Sequence, residues 1–426
     1  MTPELRTRLA LYTVAAYQAI ALTTVQFVVP VYAGDVSGGP SRFLANLILF
    51  SLPFLGGFVL AHVIGSLSDV TGKVKPWMLL ALGGHLAGLL LLSIATQPWQ
   101  ILGAAALAAS FTGTLNTTLK TYVTRISEER KGRGLSRLTQ ASQIGWLIGG
   151  VLCATLFRDL RRESARNVIL ADIALTVVAF ALVAWLLPRL SGAVPRARVT
   201  VAADGVLARM REVSRDVRGD IGRLYSEPAL VRGCLAAVFL QAGNWTFIST
   251  FSLYVVKHLG GDPQAIGWIN GAGAIFTMCV LPWIGRLTDH RGPGTAIRVA
   301  AVAYVGVYAP MAFFPSLPVV ALVFSVPAYA ALLIGLASAA ADIGGVKRRG
   351  GGIGVVDGLW AIATAIGAAI GGLVADIDLG SVPMVALVLT CVGLLLAWGA
   401  GPRIDARLAE DAHEPTPLPD SSVAPY

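Results

Sequence analysis

Apolar residues gather into twelve runs of 20 to 28 positions, cut by charges and by Gly/Pro clusters. Their limits are about 9–33, 43–66, 76–96, 98–122, 135–157, 167–188, 229–256, 264–285, 295–314, 317–341, 352–374 and 381–400. At 1.5 Å per helical residue each crosses about 30 Å of hydrocarbon. The pattern breaks at 189–228. There Val206, Met210, Val213, Val217, Ile221 and Leu224 recur every three or four residues, with Arg209, Arg211, Arg215, Arg218 and Arg223 mostly between them. That predicts an amphipathic helix lying on anionic lipid. Residues 401–426 are polar and Pro-rich and read as a disordered tail. The expected organisation is a six-helix bundle over 1–188, a linker over 189–228, a second six-helix bundle over 229–400, and the tail.

Composition agrees. The 426 residues are 55% hydrophobic and 13% charged, with a mean hydropathy of +0.70. Soluble domains carry about 25% charged residues, so a soluble enzyme is excluded. The first run is too long for a signal peptide and lacks a small-residue cleavage site. With the N-terminus in the cytoplasm, 27 of the 33 Lys and Arg fall on the inner side, which predicts that both termini are cytoplasmic. Heavy Ala, Gly and Arg usage suits a bacterial inner membrane. The outer segment Phe157–Asn167 dissents with four arginines, either as a solvated loop or as an attractor of anionic solutes. Cys153, Cys234, Cys279 and Cys391 form no short-spaced pair, and His62, His85, His258, His290 and His413 form no metal-spaced pair. No metal, cofactor, enzymatic chemistry or nucleic-acid partner is expected. Nothing suggests more than a monomer.

The halves repeat. Gly65-Ser66-Leu67-Ser68-Asp69-Val70-Thr71-Gly72-Lys73 follows span 2, and Gly285-Arg286-Leu287-Thr288-Asp289-His290-Arg291-Gly292 follows span 8. Gly145-Trp146-Leu147-Ile148-Gly149-Gly150 in span 5 matches Gly367-Ala368-Ala369-Ile370-Gly371-Gly372 in span 11. This six-plus-six repeat with a doubled G-x-L-x-D-x-x-G loop resembles the major facilitator superfamily of secondary transporters, especially its twelve-helix drug and metabolite exporters. The resemblance covers about 9–400. It implies an all-α membrane fold of two pseudo-symmetric six-helix bundles that rock about a central site. It also implies that Asp69 faces the start of span 11 and Asp289 the start of span 5, where a carboxylate meets a positive helix end. Gly65, Asp69, Gly72, Lys73, Gly285, Asp289, Arg291 and Gly292 are then gating residues. Three departures stand out. Thr124-Arg125 replaces an acid at the end of span 4, leaving Asp342 to serve Arg286 or Arg291. Trp146 stands where exchangers of this type carry proline, and Ala109 near the place of their span 4 arginine.

Ionisable residues within spans are costly and point to function. Asp357, His85 and Asp172 are the proton-coupling candidates. Asp357 is the leading one, His85 also reads as a packed neutral ring, and Asp172 reads as a local partner of Arg162 or Arg166. The cavity is expected from Tyr17, Gln18, Thr23 and Gln26 in span 1, Asn116 in span 4, and Gln241, Asn244 and Trp245 in span 7. Gln143 and Trp360 join them, with Asn270 a further candidate, and Gln18 and Gln241 correspond under the repeat. Neutral amides beside Trp and Tyr suit a lipophilic or amphipathic organic molecule. The expected function is its efflux by proton antiport. The alternative is import or uncoupled diffusion of a neutral polar solute such as a sugar.

Overall fold

The computed structural model describes residues 3–34, 41–71, 74–126, 131–159, 162–187, 228–343 and 345–413. Twelve helical rods follow the twelve apolar runs in order. The first is α1, Pro3–Thr23 continued by a π-helical turn Thr24–Val28 and by Val29–Gly34. Next is α2, with Arg42–Asn46, a π turn Leu47–Ser51, and Leu52–Thr71. The N-terminal half is completed by α3 (Lys75–Ile94), α4 (Pro98–Ile126), α5 (Lys131–Leu156) and α6 (Arg162–Leu186). The other half begins with α7, Pro228–Ile248 followed by Phe251–Leu253 and a π turn Tyr254–His258. It continues with α8 (Pro263–Arg291), α9 (Pro293–Phe313), a broken α10 (Leu317–Phe324 and Ala328–Ile343), α11 (Gly345–Ile377) and α12 (Val382–His413).

Among the described residues, nine of these rods are long and apolar enough to cross a membrane, and the bent α7 makes ten. The remaining two, α4 and α5, run 29 and 26 residues but carry more Thr, Asn, Gln and Gly. Large apolar side chains such as Trp185, Leu395 and Ile377 point outward, as lipid requires of a bundle exterior. The most enclosed span is α1.

Local sequence explains the irregular turns. Pro30 and Pro53 have no N–H to donate, and each ring crowds the carbonyl four residues back. The ladder therefore widens just upstream, where Val29 N–H reaches Thr24 O and Leu52 N–H reaches Leu47 O. In α10, Pro327 ends the first segment at Ser325–Val326. The break in α7 falls at Ser249–Thr250 with a 43° bend. Hydroxyls add bonds to carbonyls beside these breaks. Thr250 Oγ1 donates to Phe247 O at 3.1 Å, and Ser325 Oγ to Ala321 O at 3.0 Å.

The repeated glycines decide how the bundles assemble. A Cβ on Gly145 would stand 2.0 Å from Ala16 O of α1, and one on Gly367 would stand 2.3 Å from Ala242 O of α7. One turn further, Gly149 rests on Thr23 and Gly371 on Thr246. The third glycine of each set crosses between halves, Gly150 against Gly267 and Gly271 of α8, Gly372 against Arg42 and Phe43 of α2. Small residues let these helix backbones touch, which in lipid replaces hydrophobic burial as the packing force.

One expectation changes here. Residues 401–413 continue α12 as helix instead of joining a disordered tail. Asp405 holds them in place, accepting from Gly294 N–H at 2.8 Å and Thr295 Oγ1 at 3.2 Å, so that it caps the start of α9. Of the four arginines after α5, Arg161 lies outside the described residues, Arg166 is exposed, and the exposed Arg158 and Arg162 bond to helix ends. Arg158 Nε donates to Thr155 O at 2.9 Å and Arg162 to Ala95 O at 2.5 Å. The amphipathic helix expected at 189–228 lies outside the described residues except for Pro228. So do Gly72, Lys73 and 414–426, and the side chains of Asp69, Asp342 and Asp357.

Candidate functional site

Between the halves lies a cavity of about 260 Å³, near the lower limit for pockets that enclose drug-sized molecules. Its wall is asymmetric. Gln26 and Phe27 enter from the π turn of α1, and Gln143 and Trp146 from α5. All the other lining residues belong to α7, α8, α9, α10 and α11. Among the described lining residues none is Asp, Glu, Lys, Arg or His, and eight are aromatic.

Gln241 organises the wall. With its amide turned so that the oxygen faces the donors around it, it accepts from Trp245 Nε1 at 2.6 Å, Trp360 Nε1 at 2.8 Å and Thr364 Oγ1 at 3.1 Å. One carbonyl thus fixes two indoles from α7 and α11. Elsewhere Tyr308 donates to Asn244 Oδ1 at 2.8 Å, Gln143 Nε2 donates to Tyr329 Oη at 2.8 Å across the halves, and Asn270 Nδ2 reaches Trp146 O at 3.4 Å. Most of the amides are therefore already committed to neighbours. The Tyr304 hydroxyl, buried at the cavity wall, has no hydrogen-bond partner among the described residues. Aromatic packing closes the roof. Phe27 meets Phe251 edge-on at 5.6 Å, and Phe251 stacks on Phe324 at 4.4 Å, so the breaks of α7 and α10 touch.

Of the expected cavity residues, Gln26, Gln143, Gln241, Asn244, Trp245 and Trp360 line it, with Asn270. Tyr17, Gln18, Thr23 and Asn116 do not. Nine residues at 100° each turn Tyr17 half a revolution away from Gln26, and its hydroxyl meets Thr176 of α6 at 2.5 Å. Thr23 returns its hydroxyl to Ala19 O at 3.0 Å beneath Gly149, and Gln18 is buried away from the lining. Asn116 is half-buried on α4, which packs mainly on α2 and α3. Gln18 and Gln241 are thus not equivalent, and Gln26 holds the place on α1. The residues missed were Tyr304, Tyr308, Phe324 and Tyr329, whose aromatic side chains read as ordinary span filling.

The proton candidates are corrected too. Asp172 does not pair with Arg162 or Arg166. It is buried inside the N-terminal bundle, and its Oδ2 lies 4.0 Å from Nε2 of His85. Of the gating residues, Gly292 has φ +85°, which only glycine adopts without strain, and it ends α8. Asp289 and Arg291 are exposed at that same end, and Gly285 has open space where a Cβ would be.

The opposite end of the molecule is sealed. Asp376 at the end of α11 accepts from the backbone N–H of Arg42 at 2.7 Å and of Phe43 at 3.0 Å, so that it caps α2 from the other half. The Arg42 guanidinium donates in return to Ala375 O. Deeper in, Asn46 Nδ2 reaches Ser249 Oγ at 2.9 Å and Ala368 O at 3.2 Å, and Ser51 Oγ reaches Ala365 O at 2.7 Å.

Comparison with known proteins agrees with this architecture. The Major Facilitator Superfamily model matches residues 11–328 and 233–420. Multidrug resistance protein MdtG of Citrobacter koseri is 23% identical over 299 residues, 69% of each chain. A multi-drug resistance efflux pump PmrA homolog of Lactococcus lactis is 25% identical over 294 residues, 66% of this chain and 65% of its own. In fold, the chain superposes on a D-xylose-proton symporter with a TM-score of 0.70 at 13% identity, covering 94% of this chain and 97% of that one. The chain belongs to the Major Facilitator Superfamily of membrane transporters.

Proposed function

We propose that the protein exports a lipophilic or amphipathic organic molecule across a bacterial inner membrane, as a monomer, in exchange for protons. The observation that carries this reading is the cavity wall, which among the described residues has eight aromatic side chains, no ionised one and one tyrosine hydroxyl without a partner. Such a wall rewards stacking and apolar contact. It offers a polar solute few free hydrogen bonds, because most of its amides already bond to indoles, hydroxyls or backbone around them. The multidrug names of the distant relatives agree with it. The basic residues favour cytoplasmic termini. In that orientation the end sealed by Arg42 and Asp376 faces outward, and the cavity loads from the cytoplasm. Gating by Asp69 and Asp289 against the starts of α11 and α5 belongs to the same cycle, with Asp357 a further proton candidate on α11.

The test uses purified protein in liposomes with an imposed pH gradient. Ethidium, other lipophilic dyes and neutral sugars are offered in turn. Dye movement against its gradient, driven by proton flow, is the expected result. Sugar flux without dye movement would overturn the reading.

A further inference from the structure

One buried polar cluster takes no part in the cavity. His85 of α3 and Asp172 of α6 face each other midway along the N-terminal bundle, each about 1% exposed. Among the described residues no donor meets either carboxylate oxygen or His85 Nε2 at full hydrogen-bond geometry, and the hydroxyls of Tyr17 and Thr24 are the polar groups beside the carboxylate. The other ring nitrogen fixes the tautomer. Nδ1 lies 2.9 Å from Ala108 O, and a carbonyl only accepts, so the proton of a neutral ring sits on Nδ1. Thr112 Oγ1, 2.7 Å from Nδ1, turns its own proton to the same carbonyl at 2.9 Å. That leaves Nε2 as a lone pair aimed at a carboxylate. The two acceptors stand 4.0 Å apart, beyond hydrogen-bond distance, with no proton between them. A carboxylate is among the costliest groups to bury in a span. A single proton on the carboxylate removes the cost by making it a neutral carboxylic acid that faces the imidazole.

The surroundings link this site to the cavity. The helices packed on Asp172 present Tyr17 and Thr24 of α1, whose hydroxyls flank the carboxylate, and the Cys153 thiol of α5. The Tyr17 ring stands edge-on to His85 at 6.1 Å, and Thr176 Oγ1 ties the Tyr17 hydroxyl to the Asp172 carbonyl at 2.7 Å. The helix between pair and cavity is α1. Thr24 opens its π turn on the Asp172 side, and Gln26 and Phe27 of the same turn line the cavity. A π turn carries one residue of slack in its ladder, so it can shift when contacts on one face change.

We infer that His85 and Asp172 form a one-proton site whose occupancy acts on the substrate cavity through the π turn of α1. This rests on the proton-exchange reading proposed above. It is tested first without any substrate, by infrared pH titration of the purified protein in lipid between about pH 5 and 9, a window spanning the free histidine range. Wild type should show a carboxylic-acid carbonyl band that appears and disappears with pH. Asp172→Asn should lose it, and His85→Gln, which keeps a neutral polar group, should shift its midpoint. No titrating band in wild type, or the same band in Asp172→Asn, overturns the site. The second arm follows ethidium movement in liposomes as a function of pH. Loss of its pH dependence in both variants is expected, and an unchanged profile overturns the link to the cavity. If wild type moves no ethidium, the export reading suffers while the infrared result still decides the site.

Discussion

At the residue scale, Gln241 does the most for the cavity per atom. Its carbonyl oxygen satisfies two indole N–H groups and a hydroxyl, and holds Trp245 and Trp360 at fixed angles. Replacing it with leucine keeps the volume and strands both indole donors away from water. Each such loss costs about 1–3 kcal/mol, so Gln241→Leu should lower the thermal unfolding midpoint in detergent by several degrees and slow dye transport. Gln241→Glu, which restores an acceptor, should recover the midpoint better than leucine. A midpoint equal to wild type in the leucine variant would show that the indoles are held by packing alone. This residue was legible because an amide inside an apolar run has no cheap explanation. The same signal misled at Tyr17, Gln18, Thr23 and Asn116. Polarity within a span says that a side chain has a partner, and only the angle about the helix says which neighbour supplies it. Tyr304 and Phe324 were illegible for the opposite reason, since aromatic residues are cheap anywhere in a span.

At the scale of elements, two devices shape the molecule, glycine contacts and broken helices. The Gly145 and Gly367 sets were visible as a sequence repeat, and their meaning is steric. Gly145→Val would place carbon where Ala16 O already stands, forcing α5 away from α1 and costing more than the 1–3 kcal/mol usual for overpacking. The expected outcome is aggregated or poorly expressed protein on size-exclusion chromatography. Gly285→Ala adds a methyl in open space and should behave as wild type in the same assay. Pro327 is the second device. It divides α10 where Phe324 stacks on Phe251. Interior proline costs a helix about 3 kcal/mol, so Pro327→Ala should let α10 become continuous and raise the unfolding midpoint. Straightening draws Phe324 and Ser325 out of the cavity wall, and dye transport should fall. Gain of stability with loss of transport is the diagnostic pair. The sequence shows Pro327, but not that the adjoining turn faces the cavity.

At the scale of the whole molecule, the pseudo-symmetry of the sequence holds for packing and fails at the cavity. Equivalent glycines seat α5 on α1 and α11 on α7, yet the cavity wall comes mostly from α7 to α11, because the polar interior of the first bundle closes on His85 and Asp172 instead. The halves meet at the Arg42 end through a contact between helix ends. Asp376 caps α2 from across the interface while Arg42 returns a donor to the last turn of α11. These bonds exist only while that end is closed, so they bias the closed state by their own differential energy. Removing the carboxylate loses two charge-assisted bonds, and a net change of about 2 kcal/mol shifts a two-state equilibrium roughly 30-fold. Asp376→Ala should therefore open this end more often. Ser249, buried beneath it and bonded to Asn46, is the reporter. With the native cysteines replaced, Ser249→Cys should react with a membrane-impermeant maleimide tens of times faster when combined with Asp376→Ala. Asp376→Asn keeps one acceptor oxygen and should fall between the two. Equal labelling rates in all three backgrounds would mean that the glycine contacts of Gly150 and Gly372 hold the end shut without the cap.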